Sequence, residues 1–150
     1  MRSVDFATRA TAFIEFVNRA GALAPADRLR ETRAQLLDLY AAAASLAHVE
    51  TDDDGDIDAP TAPVPPKVDF GEHDEYWEVF DPYVEAEPLV GSLSDNIADV
   101  YADLSRGLVL WMTGRHAAAV WEWQFGFESH WGDHAIDALR ALHRACKPSR

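Results

Sequence analysis

Apolar residues along this chain recur mostly at helical spacing. Phe6, Ala10, Phe13 and Val17 fall three or four apart, Ser3 can cap the start and Gly21 is a natural stop, which predicts a helix near 4–20. Pro25 suits the first turn of a second helix, near 25–47, with an inward stripe of Leu29, Leu36, Tyr40 and Ala43. A third helix is predicted near 94–113, capped by Ser92 or Ser94, with Asp95 and Asn96 at its positive end. Its wheel sets Ile97, Val100, Tyr101, Leu104, Leu108 and Trp111 against Asp95, Asp99, Asp103 and Arg106. Gly114 ends it, and a fourth helix near 116–145 follows after so short a connection that the two must be antiparallel neighbours.

The pattern lapses between the second and third helices. Residues 49–71 read as an irregular loop, with the acidic run Glu50–Asp58 passing into four prolines within residues 60–66. Residues 72–83 are expected to hold a short helical turn ending before Pro82, and Pro88 and Gly91 break the chain again. No strand-like alternation of any length is present. The predicted fold is all-α: one domain over residues 1–150, a compact bundle of four main helices with a long acidic, proline-rich loop.

Composition fits that picture. At 150 residues and 48% hydrophobic, the chain can bury a core without metal or disulfide support. The lone Cys146 excludes an internal disulfide and, beside Lys147 near the C-terminus, does not read as a nucleophile. The start of the chain has an early acid and no apolar core of a signal peptide, and no apolar run is long enough to span a bilayer. A cytoplasmic location is expected.

Charge changes the picture more. The net charge is −13, and it is concentrated: residues 50–105 hold seventeen acids and one base, Lys67. Such a surface repels nucleic acid and anionic membrane and suits a cation, a basic peptide or a basic protein patch. The plainer role for the acids is solubility. Glu50, Asp52, Asp54, Asp56 and Asp58 alternate around Gly55 as in a calcium loop, but Thr61 stands where a bidentate glutamate is needed, so at most weak calcium binding is expected.

The densest chemistry lies in Trp121-Glu-Trp-Gln-Phe-Gly-Phe-Glu-Ser-His-Trp-Gly-Asp-His134, with five aromatic rings, two histidines and two glutamates. On one continuous helix, Val120, Trp121, Trp131, Ala135, Ala138, Leu139 and Leu142 define a buried arc with Gln124 and Glu128 near its middle. A buried carboxylate needs a partner, so Gln124, Glu128 and Arg106 are expected to form a buried polar network, with Tyr76, Tyr83 or an indole N–H as further partners. His130 and His134, at i and i+4, share a face that suits a metal, but a third ligand would have to come from elsewhere, from Asp95, Asp99 or His73. No tightly bound ion is expected there, and no cofactor is implied. Asp95, Asp99 and Asp103 form either a carboxylate comb for a cation or basic partner, or a solvated acidic face.

Three stretches in order carry a family resemblance: Tyr76-Trp-Glu-Val-Phe-Asp-Pro-Tyr83, Ser92-Leu-Ser-Asp-Asn-Ile-Ala-Asp-Val-Tyr-Ala-Asp103, and Trp121-Glu-Trp with Glu128-Ser-His-Trp-Gly-Asp-His134. The chain resembles the bacterial domain-of-unknown-function family numbered 5063. The resemblance implies a compact helical domain and no known activity.

Function therefore rests on the residues. The leading expectation is a non-enzymatic interaction module that engages a basic protein or peptide through Tyr76, Trp77, Phe80 and Tyr83 and the surrounding acids. The opposing expectation is that these rings only plug the end of the bundle. From a different class comes the alternative of a metal-dependent all-α hydrolase using His130, His134 and carboxylates of the third helix.

Overall fold

The computed structural model describes residues 3–50 and 60–148. The calcium-like run falls almost wholly outside the described residues. Among the described residues five α-helices carry the architecture: α1 (Ser3–Arg19), α2 (Pro25–Ala44), α3 (Leu93–Met112), α4 (His116–Ser129) and α5 (Trp131–Ala145). A two-stranded antiparallel hairpin, β1 (Glu75–Glu78) and β2 (Leu89–Ser92), precedes α3. Among the described residues no helix is long and apolar enough to cross a membrane.

Helices α1, α2 and α3 form where the periodicity placed them, with α2 ending three residues early, at Ala44. Residues 46–50 and 60–70 of the intervening stretch carry neither helix nor strand. Arg28 holds part of this stretch down: its guanidinium donates to the carbonyls of Ala20, Leu23 and Asp69.

Two expectations are corrected. The predicted fourth helix is two helices, broken at His130, whose backbone (φ −148°, ψ −80°) leaves the helical region. The predicted helical turn over 72–83 is a 3-10 turn, Gly71–His73, followed by a strand. Aromatic residues favour a pleated surface, and Asp81-Pro82 turns the chain: the Asp81 carboxylate accepts from the Tyr83 amide at 2.9 Å and its carbonyl from Val84 at 3.1 Å. The return strand fits because Tyr76 pairs with Gly91; a Cβ on Gly91 would lie 2.7 Å from the Tyr76 ring.

The core is aromatic. Trp123 and Trp131, 1% and 0% exposed, pack around Phe6 at ring-centroid distances of 4.9 and 6.3 Å. Both indoles are satisfied: Trp123 donates to the Leu104 carbonyl at 3.2 Å and Trp131 to the Trp123 carbonyl at 3.0 Å. Gly107 makes this possible, since a Cβ there would sit 2.0 Å from the Trp123 indole nitrogen. Close contact of α3 with α4 thus depends on a residue without a side chain. The α3 wheel holds: Ile97, Val100, Tyr101 and Leu104 are buried, Leu108 and Trp111 half-buried.

Candidate functional site

The seam from Trp121 to His134 divides three ways. Trp123, Trp131 and the half-buried Phe127 belong to the core. Trp121 and Phe125 are exposed and stack on each other at 5.0 Å, so Trp121 does not belong to the buried arc expected of it. His130 and His134 face α3.

Glu128 is exposed, contrary to expectation. The wheel failed because it joined α4 and α5 in one register. At 100° per residue, the residues buried in α4 centre roughly 60° away from an arc that also includes Trp131, Ala135 and Leu142. Glu128 then lies on the flank. Gln124 is buried as expected, but its partners are backbone: its amide donates to the carbonyls of Leu46, at 3.0 Å, and Ala47, at 2.5 Å, while its oxygen accepts from the Val49 amide at 3.2 Å. Gln124 therefore clamps the chain leaving α2. Arg106 pairs with Asp103 at 2.7 Å, and the network expected to unite Gln124, Glu128 and Arg106 does not form.

Two of the three α3 aspartates meet the histidines. The Asp103 side chain, 13% exposed, lies between Arg106 and the Nδ1 of His130, at 2.7 and 2.6 Å. Asp99 lies 3.2 Å from Nε2 of His134. Asp95 is exposed. The rings of His130 and His134 meet edge to face at 4.8 Å. One ligand atom each from Asp99, His130 and His134 lies within 4.8 Å of the others, the one such group of three among the described residues. His73 sits apart, near Glu72. The acid Glu122, on α4, is pushed up by burial, with Asp103 adding to the shift and Arg106 opposing it.

A polar chain runs from this cluster to the hairpin. His134 Nδ1 is 3.0 Å from the Asn96 oxygen, the Asn96 amide donates to the Tyr76 hydroxyl, and Tyr76 donates to Glu78 at 3.2 Å. Burial pushes the Tyr76 phenol up; the Asn96 hydrogen bond opposes that, and the Glu78 and Asp137 carboxylates add to it. Asp137 on α5, bonded to Glu78, is pushed up to about 6 by burial, then by the charges of Glu78 and Asp133. Tyr76 is thus half-buried and positions its strand. At the hairpin base, Asp74 accepts from Ser92 Oγ and the Ser94 amide, each at 2.8 Å, and Ser92 caps α3. Sequence reasoning missed Asp74, Asn96 and Asp137. Only Asn96, a polar residue one position from the apolar face of α3, carried a readable signal.

The other predicted contact residues stand in solvent. Trp77 is 74%, Phe80 84% and Tyr83 96% exposed, and Val84, Leu89 and Val90 are exposed beside them. Glu75, Asp81, Glu85 and Glu87 are exposed on the same hairpin. A groove between β1 and the end of α5 is lined by Glu75 and Trp77 on one side and by Arg140 and Arg144 on the other.

The chain belongs to the family described as Domain of unknown function (DUF5063), which it matches over residues 2–146. Its fold is similar to the crystal structure of protein BF1032 from Bacteroides fragilis, with a TM-score of 0.79 at 22% identity, covering 98% of this chain and 93% of that one. No curated protein matches it.

Proposed function

We propose that this member of the family is a non-enzymatic interaction module whose β1–β2 hairpin docks a basic protein or peptide segment. The observation that carries the reading is the exposure of Trp77, Phe80 and Tyr83 on the one hairpin. Rings that plugged the bundle would be covered by helices, and large apolar groups held in water mark contact surfaces. Charge selects the occupant. No lysine or arginine occurs between Val68 and Ser105, and the tip carries Asp81, Glu85 and Glu87. Arg140, Arg144 and Lys147 offset acids at the groove beside β1, which Trp77 also lines, whereas Phe80 and Tyr83 lie beyond it. The tip therefore attracts cationic side chains, which also pack well on aromatic faces.

The test is a captured protein carried through to a purified pair. A partner with a basic surface should bind the parent, bind more weakly as salt rises, and fail to bind a Trp77→Ala/Tyr83→Ala double variant of unchanged melting temperature. A purified pair that binds parent and double variant alike, or with no salt dependence, would contradict the reading. The hydrolase alternative is favoured by one observation, the approach of Asp99 to His130 and His134.

A further inference from the structure

We propose that Asp99, His130 and His134 form a site for one divalent first-row transition ion of borderline softness, for which Zn2+ is the probe. The site lies apart from the docking surface and requires no reaction. The sequence leaves the third ligand of the histidine pair open among Asp95, Asp99 and His73. Helix α3 supplies it, because Asp99 projects toward the α4–α5 junction where both imidazoles lie.

Hydrogen-bond direction makes the case stronger than proximity alone. Glu78 accepts from the Tyr76 hydroxyl, so that hydroxyl is free to accept from the Asn96 amide. The Asn96 oxygen then faces His134 Nδ1 at 3.0 Å, which fixes that nitrogen as a donor. The neutral ring therefore presents a lone pair at Nε2, and 3.2 Å away is another acceptor, the Asp99 carboxylate. Two acceptors at that distance need a cation between them or a second proton on the ring. His130 is oriented in the same manner: Asp103 engages Nδ1 at 2.6 Å, leaving Nε2 for an ion. A carboxylate or amide oxygen behind each ligating imidazole is the usual outer support of a metal-bound histidine.

Ligand type and spacing fit the class. Two imidazoles and one carboxylate suit zinc, iron or manganese rather than calcium or magnesium. Ligands about 2.1 Å from a tetrahedral ion lie roughly 3.4 Å apart. The three groups, within 4.8 Å of one another, need only rotamer-scale adjustment to reach that geometry. Asp99 and both histidines are partly exposed, which leaves outer positions open to water. The ion would staple α3 to the break between α4 and α5.

Tag-free protein stripped with a chelator is titrated with Zn2+ against a chromogenic competitor. One ion per chain is expected, with a rise in melting temperature. His134→Ala and Asp99→Asn should each abolish this uptake, and Asp103→Asn should weaken it about 10- to 100-fold. His73→Ala should leave it unchanged. No stoichiometric uptake, or uptake that survives both His134→Ala and Asp99→Asn, overturns the site. Should a variant fail to fold, imidazole NMR resonances of the parent decide: Zn2+ must shift those of His130 and His134 first, and shifts only at other histidines refute the proposal.

Discussion

Two aromatic-rich runs of this chain meet opposite fates. In the α4–α5 run, Trp123 and Trp131 are sealed in the core with both indole N–H groups bonded to carbonyls. In the hairpin, Trp77, Phe80 and Tyr83 stand in water among carboxylates. Composition does not separate the runs. What separates them is the number of layers around each. The α4–α5 run is packed by α2, α3 and the Phe6 ring of α1, whereas the hairpin meets the bundle through its inward residues, Tyr76 and Glu78, and the Asp74 bonds to Ser92 and Ser94 at its base. The first run stabilises the fold; the second stands in solvent.

The largest effect expected is in the buried run. Trp123→Ala should lower stability by about 3–5 kcal/mol, measured by thermal or denaturant melting, because it removes a buried ring and opens a cavity. A smaller loss would mean that the bundle collapses onto the space. Gly107→Ala tests the same contact from the other side. The added methyl meets the Trp123 indole, and a cost of about 1–3 kcal/mol from overpacking is expected in the same melts.

Gln124→Ala should cost about 1–3 kcal/mol, because three backbone groups of residues 46–49 lose their partner. Glu128→Ala, one turn away, should melt like the parent. That contrast bears on what the sequence could reveal. Periodicity located α1, α2 and the apolar face of α3 because each is one uninterrupted helix against one core. It misplaced Glu128 and Trp121 because a break at His130 resets the register; Gly126 and Gly132 flank that break, and a Cβ on Gly132 would lie 2.0 Å from the Phe127 carbonyl oxygen, but neither glycine sits at the break itself. The i, i+4 spacing of His130 and His134 was readable and their rings do meet, since hydrogen bonds from His130 N to Gly126 O and from His134 N to His130 O bridge the break. Asp99 was one of three candidate partners for that pair, and the pairing of Asp103 with His130 was not readable, because which carboxylate meets which ring depends on how α3 crosses the junction. The hairpin escaped notice because four-residue strands are too short for alternation to stand out.

A smaller effect is expected from pH. Asp137 has its folded value raised to about 6 from 3.8, so between those values the folded state keeps a proton that the unfolded chain releases. Its contribution is fully present below about pH 4, is lost as pH rises to about 6, and thereafter the charged group is a constant penalty. Because the group is partly exposed, screening reduces this penalty to about 1 kcal/mol. Asp137→Asn should therefore match the parent near pH 4 and exceed it by that amount near pH 8. An equal difference at both values would place the shift elsewhere.

The thermal melt of the triple variant Trp77→Ala/Phe80→Ala/Tyr83→Ala tests the separation of the two runs most directly. The exposed tip predicts a change of less than about 1 kcal/mol despite the loss of three large rings. A loss beyond about 3 kcal/mol would show that these rings are buried in the folded protein, and the docking surface would have to be abandoned.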